Sequence, residues 1–249
     1  MRQKINLLLL AGLVTLNGFT VAGPSSNVAW TVDTHTMVKR GDAQIGARLE
    51  TIETEDVAAC TDCHGAAGAE PDREKHPTLA GQVAAYTYKQ LRDYKDGTRQ
   101  NRRMQEAVER LSDEQLAALA AWYAEQPIPE VETDPDDSVS EDTLKLVFLG
   151  DKARMIQPCA ACHGSRGQGA IIDVPAIAGQ NVKYFVNTMK DYTRDKRTND
   201  VYSRMRIIAK ALTRDEIEEL AIYYARLGGQ QGDSGLIQAL IDGSAFHNK

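Results

Sequence analysis

Aromatic residues are scarce in this chain: Phe, Trp and Tyr make up 6% of 249 residues, against 42% hydrophobic and 26% charged. The overall balance is that of a globular protein, but so few rings are little for filling a sizeable core with side chains alone. An excess of basic residues is also missing. Lys and Arg number 29 against 35 Asp and Glu, giving a net charge of −6 and a sequence pI of about 5.4. Phosphate binding needs a basic surface, so a nucleic-acid partner is excluded. Alternating strand patterns of useful length are absent, which leaves helices. Cysteine is confined to four positions.

Long apolar runs are absent beyond the first residues. Arg2 and Lys4 precede an apolar stretch from Ile5 to Leu16, and Thr20-Val21-Ala22 offers small residues for cleavage. This predicts a cleaved signal peptide over residues 1–22 and export to the periplasm. The rival, an uncleaved anchor, needs ~20 apolar residues. Asn17 and Gly18 interrupt the stretch before that length.

What is present is written twice. Cys60-Thr-Asp-Cys63-His64 returns as Cys159-Ala-Ala-Cys162-His163, 99 residues on. Pro77-Thr-Leu-Ala-Gly81-Gln82 returns as Pro175-Ala-Ile-Ala-Gly179-Gln180, 98 on. Tyr86 and Tyr94 match Tyr184 and Tyr192, Met104 matches Met205, and Tyr123 matches Tyr224. Constant order over so long a period marks a duplicated domain, not a solenoid of ~20–50-residue repeats. The expected organisation is an N-terminal extension at 23–40, domain 1 at 41–126, a linker at 127–142, domain 2 at 143–227 and a tail at 228–249. From Glu125 to Thr143 there are eight acidic residues, three prolines and no Lys or Arg, so the linker is expected to be solvated and semi-extended. Helices are expected at Val83–Asp96, closed by Gly97, and at about Asn181–Thr193. Gly41-Asp42 and Gly150-Asp151 are assigned to helical stretches before the Cys pairs. Ser112 with Gln115, and Thr213 with Glu216, are capping boxes opening the last helix of each copy. The stripes Leu116, Leu119, Tyr123 and Ile217, Leu220, Tyr224 follow them.

All four Cys fall in the two C-x-x-C-H motifs, the attachment signature of c-type haem. Two thiols one helical turn apart reach the two vinyl groups of one porphyrin, and the following imidazole meets the iron. A redox dithiol, a zinc site or structural disulfides would each use such pairs. None of them needs a His directly after each pair, and His is only 5 of 249 residues. Two covalent haems are therefore expected, held by Cys60, Cys63, Cys159 and Cys162, with His64 and His163 on the irons. They would also supply apolar bulk that the few aromatics do not.

The other axial ligand must recur in both copies. Among six Met only Met104 and Met205 do, each seven residues before the Leu that precedes the last helix. Thioether is a soft ligand, and His/Met coordination raises the iron potential. It also closes the iron, which suits electron transfer. Met37, Met155 and Met189 read as core filler, and His35, His76 and His247 as loop or surface residues.

From Gly41 to Leu227 the chain resembles the cytochrome c4 family of di-haem cytochromes. The two haem motifs, the two Pro-x-x-Ala-Gly-Gln segments and the two Met–Leu–Ser/Thr segments carry that likeness. The resemblance implies an all-α fold of two tandem class I cytochrome c domains, each wrapped around one covalently attached haem, with the haems near the domain interface. It implies that the carbonyls of Pro77 and Pro175 accept a hydrogen bond from the axial His, fixing its tautomer. Arg99 and Arg197 match each other, and either pair with a buried propionate or stand exposed on a polar loop.

About ten residues near Glu50–Glu55 are inserted before the first motif only, and Leu236–Ile241 forms a short apolar patch in the tail. These additions are decoration or docking surfaces. The leading function is a periplasmic electron carrier, not an enzyme. It would run from a cytochrome bc complex or a dehydrogenase to a terminal oxidase or reductase, touching those membrane complexes only peripherally. The alternatives are the cytochrome subunit of a periplasmic dehydrogenase, such as a sulfide-oxidising flavocytochrome, and a di-haem peroxidase or thiosulfate dehydrogenase. The last two need an open or Cys-ligated iron.

Overall fold

The structure is a computed structural model that describes residue 26 and residues 28–71, 76–134, 138–170 and 174–229. The expected signal peptide, the apolar patch of the tail and His247 lie outside the described residues.

Among the described residues there is no strand, only the isolated bridges Asp151–Ile156 and Ala170–Val174. The first half forms α1 (Val32–Lys39), α2 (Ala43–Leu49), α3 (Cys60–His64), α4 (Ala84–Lys95), α5 (Arg102–Val108) and α6 (Asp113–Ala124). The second forms α7 (Glu141–Phe148), α8 (Cys159–His163), α9 (Val182–Thr193), α10 (Arg204–Ala211) and α11 (Arg214–Arg226). Five helices thus have counterparts, and α2 has none.

Both capping boxes close. Ser112 N–H donates to Gln115 Oε1 at 2.8 Å while Gln115 N–H donates to Ser112 Oγ at 3.3 Å. Thr213 and Glu216 repeat the exchange at 2.8 and 3.2 Å. Both stripes behind the caps are buried. In the first half Leu116 packs with Val38, Tyr88, Tyr94 and Val108. In the second, Leu220 and Tyr224 pack with Val147, and Ile217 with Val186, Met189 and Ala209.

Two expectations need correcting. Residues 23–40 were expected to stand outside the first domain, yet α1 packs on α4 and α6, and Val38 joins the core. Trp30 also meets the Tyr88 ring edge-on at 6.2 Å. The N-caps Thr31 and Ser140 each precede the matching glycine, Gly41 or Gly150, by ten residues, so α1 is the counterpart of α7. Neither Gly-Asp pair is inside a helix. Asp42 caps α2 by accepting from Gln44 and Ile45 N–H, whereas Asp151 opens a turn by accepting from Ala153 and Arg154 N–H. The extra residues of the first half thus go into α2 and the loop to Ala59.

The described linker residues before Ser140 form no helix, as their charge and prolines predict, α7 begins at Glu141 inside the expected linker, and the segment is not free of the protein. Ile128 lies between Gly81 and Gly179, where a Cβ on either would come within 2.2 or 2.6 Å of its side chain. Arg226 Nε then holds Thr133 Oγ1 at 2.8 Å, and Glu219 accepts from Ser140.

Candidate functional site

Each Cys pair lies on a single helical turn ended by a glycine. Gly65 and Gly164 sit at φ 72° and 82°, where other residues are strained. A Cβ on Gly65 would lie 2.1 Å from the Glu70 carbonyl oxygen. This repeated glycine after each His was visible at the same spacing as the motifs and went unread. The four thiols form no disulfide. Burial raises the Cys60 thiol and pushes Cys159 up to about 11, the opposite of an activated redox dithiol.

His64 and His163 are both buried. The Nδ1 of His64 is 2.9 Å from the Pro77 carbonyl oxygen, and that of His163 is 2.9 Å from that of Pro175. A carbonyl only accepts, so Nδ1 carries the proton and Nε2 keeps its lone pair for a metal. Burial holds the His163 ring below the ordinary histidine range, hence neutral.

One continuous cavity of about 460 Å³ takes in both Cys pairs, both histidines, Met104 and Met205. Met104 lies in the first turn of α5, with its N–H on the Asn101 cap at 3.2 Å. Met205 lies in the first turn of α10, whose N-cap Ser203 is left-handed at φ 57°. His76, read as a loop residue, also lines the cavity, with its ring 6.1 Å from that of His64.

Arg99 and Arg197 reach across the interface, which neither expectation included. Arg99 lies over the Tyr94 ring of its own half at 4.6 Å and donates to Tyr184 Oη of the other at 3.0 Å. Arg197 lies over Tyr192 at 4.8 Å and donates to Tyr86 Oη at 2.8 Å. Among the described residues neither guanidinium has a carboxylate in ion-pair contact. Burial raises the Tyr184 phenol, but Arg99 and Arg197 outweigh it and bring it down to about 8. The cavity therefore holds two cations in search of anions, and propionates would meet that need. Nearby, Lys89 pairs with Asp93 at 2.6 Å, both nearly inaccessible, and Asn199 of the second half donates to the same carboxylate at 2.7 Å.

A family model for cytochrome c matches residues 55–125. Over 169 residues the chain is 35% identical to cytochrome c4 of Pseudomonas aeruginosa, covering 67% of this chain and 82% of that protein. The chain belongs to the cytochrome c4 family. Reduced cytochrome c4 from Pseudomonas stutzeri superposes with a TM-score of 0.66 at 29% identity, over 75% of this chain and 98% of that one. A relative named thiosulfate dehydrogenase electron acceptor, from Stutzerimonas stutzeri, is 34% identical over 174 residues, 70% of this chain and 81% of its own. As a cytochrome c4 the chain has the class I cytochrome c fold, binds two covalent haem c groups and transfers electrons. The residues present fit two haems: two thiol pairs, two oriented imidazoles, two thioethers and two cations share one cavity. Among the described residues no helix is long and apolar enough to cross a membrane.

Proposed function

We propose that Cys60 and Cys63 attach one haem and Cys159 and Cys162 the other. In this reading His64 and Met104 are the axial ligands in the first half, and His163 and Met205 in the second. Each haem, when bound, supplies a one-electron iron couple tuned by its axial ligands and their hydrogen bonds. The chain's part is to orient each imidazole through Pro77 or Pro175, to keep water from the metals with an apolar cavity, and to hold propionates with Arg99 and Arg197. With both irons closed by thioether the protein carries electrons and transforms no substrate.

The observation that carries this reading is the pair of Nδ1 contacts, 2.9 Å in both halves, which put the ring proton on Nδ1 and make Nε2 the ligating nitrogen. The test is the oxidised visible spectrum. The thioether–iron(III) charge-transfer band should match two sites, and half should vanish in Met104→Ala and half in Met205→Ala. A band of half intensity in the native protein would mean one iron is open.

We place the carrier in the periplasm after signal-peptide cleavage. There it takes electrons from a cytochrome bc complex or a dehydrogenase and passes them to a terminal oxidase or reductase. Relatives named as electron acceptors of thiosulfate dehydrogenase favour the dehydrogenase as donor. Mixing the oxidised protein with such an enzyme and thiosulfate should reduce both haems within the enzyme's turnover time. No reduction would return the bc complex to first place.

A further inference from the structure

The two halves are joined by a pair of side-chain amides, and each pair of contacts ends beside the other half's axial histidine. Gln180 Oε1 accepts from Thr78 N–H at 3.0 Å, and Gln180 Nε2 donates to the Thr78 carbonyl at 3.1 Å. Gln82 does the same to Ala176, at 2.8 and 2.9 Å. The same two oxygens also accept from the next N–H of their own chain, Asn181 and Val83, both at 2.9 Å. Both glutamines and both target residues are buried. Gln82 and Gln180 occupy matching positions of the repeat, as do Thr78 and Ala176.

Thr78 follows Pro77, and Ala176 follows Pro175. The N–H of Thr78 and the C=O of Pro77 are therefore two ends of one planar peptide unit. Gln180 grips the N–H end while His64 Nδ1 donates to the C=O end. In the second half Gln82 grips Ala176 N–H while His163 donates to Pro175. An amide whose N–H is engaged becomes a stronger acceptor at its oxygen, because successive hydrogen bonds polarise one another. A stronger acceptor draws the Nδ1 proton away and makes Nε2 a better donor to a metal.

We propose that Gln82 and Gln180 are positioning residues that act on the opposite half. Gln180 sets the basicity of His64, and Gln82 that of His163. Each haem's potential is thus partly written by the other domain. This rests on the axial assignments above. Those assignments are tested separately by the low-spin, histidine-ligated spectrum of the unaltered protein, which must hold before any variant is read.

The experiment is a redox titration of the full two-haem protein followed by NMR. Haem methyl resonances assign each one-electron potential to its half. Gln180→Met is close in shape and lacks both polar atoms. It should raise the first half's potential at least threefold in the reduction equilibrium, about 28 mV at 59 mV per tenfold for one electron. The second half's potential should move by less than half as much. Gln82→Met should give the mirror result. Gln180→Glu and Gln82→Glu keep the accepting oxygen and add charge, so the opposite half's potential should fall instead. That reversal is not expected from mere loosening of the interface, and it remains readable if a Met variant fails to mature. Shifts confined to the mutated half, equal shifts in both halves, or none in any variant would overturn the proposal.

Discussion

The two halves of this protein agree in their haem-attachment motifs and in the contacts of the axial histidines, and disagree in the charges around them. Around each motif the same five helices, the same glycine and the same His–Pro contact recur. The trans-acting amides recur too, which makes the backbone of the interface nearly two-fold. Its charges are not. The first half buries the Lys89–Asp93 pair, while the matching residues of the second are Asn187 and an exposed Asp191. The first half also has α2 and the buried Glu50, and the second has a partly exposed cluster of Arg154 with Asp151 and Glu216. Duplication has preserved the attachment motifs and the His–Pro contacts and let the charged supports around them diverge.

Removing Asp93 should break that comparison most severely. Asp93→Ala takes the carboxylate from a buried lysine and a partner from Asn199, Ser26 and Thr98. A loss of about 3–5 kcal/mol in denaturant unfolding is expected, against less than about 1 kcal/mol for the exposed Asp191→Ala. Equal losses would mean the buried pair is not the divergent support.

Arg154 offers a smaller test in the other half. Its hydrogen bonds hold the Glu216 carboxyl below its ordinary value of 4.5. A carboxyl depressed on folding contributes stability above that value and loses it as pH falls through the lower folded one. Stability should therefore decline on acidification below about pH 4.5, and Arg154→Ala should flatten that limb while costing at most about 1 kcal/mol at pH 7. An unchanged acid limb in thermal melts would count against the pair.

Glu50 sharpens the contrast at the smallest scale. Its carboxyl lies against Tyr123 and Cys60, and its Oε2 is buried without a protein partner. Glu50→Gln replaces the buried carboxyl, in the first half alone, by an amide of the same shape and should raise stability by about 1 kcal/mol. A fall in the unfolding midpoint would show that the carboxyl supports the first half.

The sequence made most of this legible where chemistry is local. The C-x-x-C-H motifs, the capping boxes at Ser112 and Thr213 and the α6 and α11 stripes are read within one or two turns. Helix α1 was missed because the insertion breaks the repeat offset, so Thr31 no longer aligned with Ser140. Ile128 was missed because a lone apolar residue among acids carries no period. Arg99, Arg197 and the two glutamines were seen as repeated, but their partners lie about a hundred residues away, and no local pattern encodes a contact across a duplicated interface.

Ile128 gives the linker a second character. A tether sets only how often two modules meet, and extra length costs little, growing with the logarithm of the loop. Here the connector begins as a wedge seated in notches of both halves, and its described residues beyond Pro129 are held by exposed contacts to Arg226 and Glu219. Residues inserted near Glu132 would disturb only the exposed contacts to Arg226 and leave the joint as it is. The same insertion next to Ile128 would pull the wedge, so the joint's geometry is written into Ile128 and Pro129 of a segment that otherwise reads as spacer.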